Sequence, residues 1–148
     1  LGTIAEDGSY VLNFPGAPFR DSETNEVRGL VEMTYLVDES CTTCYNVSEH
    51  RNIVTNPQSF NVKLTKETTL DISSAEGKAF AGKYNVTKVP TIVLSKDASY
   101  YPALAAVWPQ VGTVEKDGTY GFRAVEVMQG SYKDVVKNEV VTPQPPAQ

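Results

Sequence analysis

The feature that most constrains this chain is an apolar run that ends abruptly in a cysteine pair. Leu30, Val31, Met33, Tyr35, Leu36 and Val37 lead into Asp38-Glu39-Ser40-Cys41-Thr42-Thr43-Cys44-Tyr45, which holds the only two cysteines. A run this apolar fits a strand buried on both faces. The polar stretch behind it, up to the stop at Asn56-Pro57, reads as a helix over 42–54. On that reading Cys44, Val47 and Val54 share the core-facing stripe, and Cys41 is the more exposed thiol. A thiol at a helix N-terminus faces unpaired N–H groups and the positive end of the dipole, which favours the thiolate. A second sulfur one turn on can attack a mixed disulfide formed at the first. The spacing therefore suits thiol–disulfide exchange, although half of a zinc site uses the same spacing. The single histidine, His50, points away from Cys41 on such a helix, and no metal or organic cofactor is implied.

A chain of 148 residues, 41% hydrophobic, is long enough for one domain to bury its own core. A net charge of −5 with no basic cluster speaks against nucleic acid or an anionic membrane surface as partner. No apolar run approaches the roughly 18 residues that cross a bilayer. The start at Leu1 and the ending Thr142-Pro143-Gln144-Pro145-Pro146-Ala147-Gln148 read as a piece whose leader or anchor has been removed. Abundant Thr, Ser, Asn, Gln and Tyr lean toward a location outside the cytoplasm. Asn46-Val47-Ser48 and Asn85-Val86-Thr87 match the glycosylation sequon, a pattern common by chance.

Along the chain, residues 1–28 form an N-terminal extension with one possible edge strand over 10–14, and Asp21 to Arg28 reads as a loop. Phe60, Val62 and Leu64 alternate as a short strand, followed by a second over 68–73. Ser73-Ser74-Ala75-Glu76 resembles a capping box opening a helix to Tyr84, with Phe80 and Tyr84 one turn apart. Asn85 ends that helix in a left-handed conformation. Val89-Pro90-Thr91-Ile92-Val93-Leu94 places a proline at the first position of an apolar strand, where it is tolerated. The stretch 100–109 has no assignment. Asp117-Gly118 signals a type I′ hairpin between 111–115 and 119–123, and Gly130-Ser131 opens a last helix to Asn138. The Pro-rich tail covers 141–148.

Strand, CxxC, helix, strand, helix, Val-Pro-Thr, strand, hairpin, Gly, helix: this order resembles the thioredoxin fold over residues 29–140. The resemblance implies an α/β domain with a central mixed β-sheet flanked by helices. It also implies a thiol–disulfide oxidoreductase acting on protein thiols or disulfides. Cys41 and Cys44 would be its redox pair. Pro90 would be a cis proline beside them, and the Val89 backbone would offer main-chain hydrogen bonds to a bound peptide. Departures from the family are specific. Ser40 stands where thioredoxins carry tryptophan, Thr42-Thr43 replaces Gly-Pro, and Tyr35 stands at the position of the buried carboxylate. Glu32, Asp38 or Glu39 would have to supply any proton-transferring acid. The rival reading is a redox-inert structural or assembly module that keeps the fold, and a third is strand addition of a peptide at the Val89-Pro90 edge. Direction of exchange stays open. Trp108, Tyr35 and Tyr45 read as packing residues, and Lys88 as a surface lysine.

Overall fold

A computed structural model of the chain describes the backbone of residues 2–4 and 10–12 and all of residues 17–143. Gly2–Ile4 (β1) and Tyr10–Leu12 (β2) pair antiparallel as a sheet of their own, so the strand expected over 10–14 does not join the central sheet. Its last two residues lie outside the described residues, as do 144–148 of the tail. Asp21 to Arg28 is not a plain loop. Phe19–Arg20 (β3) pairs with Val27–Arg28 (β4), and the turn is closed by the Asp21 carboxylate accepting the Glu23 N–H at 2.9 Å.

Leu30–Val37 (β5) is an interior strand of the main sheet, and its longest interior one. Val31, Met33 and Tyr35 point into one core, and Leu36 into a second on the opposite face. Glu32 is exposed, because the second face is covered only toward the strand's C-terminal end. The chain then passes through helix Ser48–Thr55 (α1), which stops at Asn56 because the residue before Pro57 is forced to an extended backbone. It returns as Lys63–Asp71 (β6), parallel to β5. One nine-residue strand thus replaces the two short strands expected over 60–64 and 68–73. The polar Thr65-Lys66-Glu67 centre hid the continuity. It is tolerated because β6 is an edge strand with an exposed face, and a bulge between Val31 and Glu32 absorbs one residue there.

Ala75–Lys83 (α2) is capped by Ser74, one position later than the capping-box reading, with the Gly77 N–H donating to Ser74 Oγ at 2.9 Å. A Cβ on Gly77 would stand 1.8 Å from the Asp71 carbonyl oxygen, so only glycine lets this turn rest on the end of β6. Asn85 follows with a φ of 52°, as its residue type suggests, and Phe80 and Tyr84 stack at 4.9 Å. Lys88–Val89 (β7) and Thr91–Leu94 (β8) flank a cis Val89–Pro90 bond. A 3-10 turn, Lys96–Tyr100, precedes Pro102–Val111 (α3). Pro102 occupies the helix start it suits, and Leu104 and Trp108, four apart, are buried. Gly112–Val114 (β9) and Tyr120–Phe122 (β10) form the expected hairpin. In its turn Gly118 alone takes positive φ, at 87°, and donates its N–H to the Glu115 carbonyl, so the turn is not type I′.

The central sheet is mixed, in the order β6-β5-β8-β10-β9. Val54 of α1 and Leu104 and Trp108 of α3 pack on one face, and α2 packs on the other through Phe80 and Ala81. The chain is therefore α/β with a mixed sheet and helices on both faces. Among the described residues no helix is long and apolar enough to cross a membrane.

The last expected helix does not form. After a second 3-10 turn, Val125–Met128, the chain makes Tyr132–Asp134 (β11) and Glu139–Val141 (β12), an antiparallel hairpin. The Asp134 carboxylate accepts the N–H groups of Val136 and Lys137 at 3.0 Å, and Asn138 is left-handed at a φ of 56°. These local bonds turn the backbone out of a helix, and the valines on either side favour strands. β11 also pairs with β7, so the hairpin extends to the segment before Pro90.

Candidate functional site

β5 ends because Asp38 turns the chain. Its carboxylate accepts the Ser40 N–H at 2.9 Å and the Ser40 O–H at 2.5 Å, and its carbonyl accepts the Cys41 N–H at 3.0 Å. Cys41 and Cys44 are joined in a disulfide with Cα atoms 5.5 Å apart, and both residues are half-buried beneath exposed Thr42 and Thr43.

The pair does not sit at a helix N-terminus. α1 begins at Ser48, seven positions after Cys41, and the influence of a helix end fades within its first turn. Three contacts delay the helix. Cys44 forms a parallel bridge with Ser131, the Tyr45 N–H donates to the Ser131 carbonyl at 2.9 Å, and Asn46 Oδ1 accepts the Ser48 N–H at 2.9 Å. The Thr43 hydroxyl lies 3.9 Å from Cys41 Sγ. Asn46 is the sequence signal near the true helix start, since asparagine favours bonding nearby backbone N–H groups over a helix interior.

Tyr45 fastens this loop to the proline. Its hydroxyl donates to the Pro90 carbonyl at 2.7 Å and lies 2.6 Å from His50 Nε2. A phenol carries one hydrogen and a carbonyl none, so the Tyr45 proton goes to Pro90 and His50 must donate from Nε2. His50 is 3% exposed, stacked edge-on against Phe122 at 4.7 Å, and burial pushes its pKa down to about 4. It is a neutral, core-facing donor. Burial, with Glu49 adding to it, raises the Tyr45 phenol above its ordinary range, so it stays protonated. Gly130 passes directly over Tyr45: a Cβ there would stand 2.4 Å from Tyr45 Cβ.

Asp38 has a second partner. Lys133 Nζ of β11 lies 2.6 Å from Asp38 Oδ2, and the two side chains are 19% and 4% exposed. Burial works against the charged carboxylate, but the hydrogen bonds from Lys133 and Ser40 outweigh it and hold the Asp38 pKa below its ordinary value. Asp38 is thus a fixed anion that shapes the loop, poorly suited to carry a proton at neutral pH. Glu32 lies near the far end of β5, about 17 Å along the strand from its end. Glu39 is exposed, and its N–H donates to Asp71 Oδ2 at 3.3 Å. Tyr35, at the carboxylate position of the resemblance, donates to Glu67 Oε1 at 2.5 Å, and Glu67 also receives Arg51 at 2.8 Å.

Val89 and Pro90 are both buried. The Val89 main chain is occupied: Val89 is paired with Lys133 and Lys88 with Asp134. Lys88 is not a lone surface lysine, being paired with Glu126 and lying 5.7 Å from the Tyr132 ring centre. Trp108 donates to the Thr113 carbonyl at 3.1 Å and packs on Tyr120 and Phe122, supporting the hairpin. Asn46 and Asn85, the sequon asparagines, are exposed. Among the described residues no three His, Cys, Asp or Glu side chains gather in a way that holds a metal ion. Sequence reasoning reads Tyr45 as packing and Ser131 as the start of a helix, and does not single out Lys133. Only the fold brings these two, about 90 positions along the chain, against the cysteine loop.

Comparison with protein-family models, with curated proteins and with solved structures gave no match to this chain.

Proposed function

We propose that this chain is a thioredoxin-like thiol–disulfide oxidoreductase acting on protein thiols or disulfides, with Cys41 and Cys44 as its redox pair. The observation that carries the reading is the Tyr45 hydroxyl bonded to the Pro90 carbonyl, which holds the disulfide loop against the cis proline that opens β8. The strand order β6-β5-β8-β10, with the cysteine loop between β5 and α1, supports the fold assignment. In the reduced protein the Cys41 thiolate attacks one sulfur of a substrate disulfide and expels the other as a thiolate. The Cys44 thiolate then attacks Cys41 Sγ and releases the second substrate thiolate. Two electrons pass to the substrate and the Cys41–Cys44 bond forms; run backward, the same steps oxidise a dithiol. The Thr43 hydroxyl, and not a helix dipole, is the group available to donate to a Cys41 thiolate.

The shortness of the loop adds support. With a sequence separation of three, chain-entropy bookkeeping gives the bond only about 2 kcal/mol of stabilisation, less than a bond closing a long loop. As a staple this is a poor choice of position. The rival of a redox-inert module is favoured by a different observation, the start of α1 at Ser48, which withdraws the electrostatic support a reactive thiol normally has.

The reduction potential of the pair in glutathione or dithiothreitol buffers separates the two readings. A value between about −120 and −270 mV fits exchange, toward oxidation at the upper end and reduction at the lower. A bond that stays oxidised well below about −300 mV is structural, and the enzyme reading is then abandoned. The composition supports a site of action outside the cytoplasm, and fractionation of the producing cell tests it.

A further inference from the structure

One edge of β11 touches both the cysteine loop and the segment before Pro90, and its other edge pairs with β12. Along the first edge Ser131 bridges Cys44 and accepts the Tyr45 N–H, and two residues on, Lys133 pairs with Val89. The Val135 N–H donates to the Thr87 carbonyl at 2.8 Å. Hydrogen-bonded pairs recur every second residue in an antiparallel ladder, so Val89 and Lys133 are also a hydrogen-bonded pair. The Lys133 ammonium then reaches back to Asp38, the residue that shapes the cysteine loop. Gly130 lets the chain pass this close to the cysteine loop, because a Cβ there meets Tyr45.

We infer that β11 is a self-occupying strap: it fills the main-chain pairing site at Val89 beside the disulfide, latched by Lys133 on Asp38, and must lift before an extended protein substrate can pair there. This rests on the exchange reading above. Small thiols need no main-chain pairing and react at the half-buried cysteines with the strap closed. A peptide reacts only with the fraction of molecules whose strap is open, and its apparent rate falls by that fraction. Specificity between small and polymeric substrates is then set by the strap and not by the cysteines.

The test compares two probes on the oxidised protein. One is dithiothreitol. The other is a synthetic unfolded peptide carrying one cysteine within a run of β-branched residues. Lys133→Pro removes the N–H that faces Val89 and the ammonium that holds Asp38, while the amides of Tyr132 and Asp134, which face β12, remain. Lys133→Met removes the ammonium alone and serves if the proline variant does not fold. The expected result is a peptide rate raised by about tenfold or more relative to the dithiothreitol rate, because more molecules are open. A peptide-to-dithiothreitol ratio equal to that of the wild type overturns the strap. If no peptide thiol attacks the bond in any variant, the oxidoreductase reading fails, and amide hydrogen exchange decides the strap separately. Faster exchange confined to β7 and β11 upholds a strap that opens on its own, and exchange accelerated throughout, or nowhere, refutes it.

Discussion

Protonating His50 is expected to destabilise the fold by about 3 kcal/mol. The imidazole is 3% exposed, donates from Nε2 to Tyr45, and has its pKa lowered by burial from 6.5 to about 4. The unfolded chain binds the proton first, so between these two values the unfolded state carries more protons than the folded one. Stability from this group is therefore complete above about pH 6.5 and is lost as pH falls toward about 4. At 1.36 kcal/mol for each pH unit across that interval, the loss comes to about 3 kcal/mol. Carboxylates held low in the fold, such as Asp38 and Glu67, also destabilise it in acid, so the wild type alone does not isolate the histidine. His50→Gln keeps an N–H near the Nε2 position and cannot titrate. Urea unfolding of both proteins at half-unit steps from pH 4 to 7.5, taken as a difference, cancels the carboxylates. The wild-type advantage should be largest at neutral pH and shrink toward pH 4. A difference that is flat across the range, or that grows in acid, would show that the ring is not held neutral, and the tautomer assigned from Tyr45 and Pro90 would go with it.

Tyr45→Phe removes the donor to Pro90 and leaves a buried carbonyl and the His50 N–H without partners; it should lower stability by about 1 to 3 kcal/mol. It should also speed reduction of the disulfide by dithiothreitol, and an unchanged rate would mean the tether does not restrain the loop. Reducing the wild-type disulfide should lower unfolding free energy by only about 2 kcal/mol; a loss twice that size in urea melts would identify a structural bond. Gly130→Ala should be destabilising by about 1 to 3 kcal/mol through the clash with Tyr45, read by thermal melting. A melting temperature unchanged from the wild type would mean β11 is free to move aside.

The central part of the fold was legible because its signals are local. Leu30–Val37 is apolar at six of its eight positions and forms an interior strand over those bounds. Asn56-Pro57 stops α1, and Asn85 takes the left-handed conformation after α2. Pro90 opens β8, and Gly118 turns the hairpin. Each outcome follows from steric limits on one or two residues, which distant contacts do not change. The failures have the opposite character. β6 reads as two strands because an edge strand does not need apolar residues on its exposed face. The sequence of α3 gives no clear signal because Pro109 near its end masks the helical spacing of Leu104 and Trp108.

The site divides along the same line. Sequence alone determined that two cysteines follow an apolar strand at a spacing that permits a disulfide, and that a proline opens another apolar strand further on. It did not determine what surrounds the sulfurs. The segment after Cys44 has helix-compatible residues, yet it stays a loop because Cys44 and Tyr45 bond to Ser131 and Tyr45 reaches Pro90. The segment after Gly130 could be read as a helix, yet it is a strand because Val89 and Lys88 offer a free edge and Asp38 offers a charge for Lys133. Local propensity differs between such alternatives by less than about 1 kcal/mol per residue, whereas a buried ion pair and a strand ladder form only once remote segments meet. Tertiary structure therefore decided whether the cysteines face a helix end or a strap.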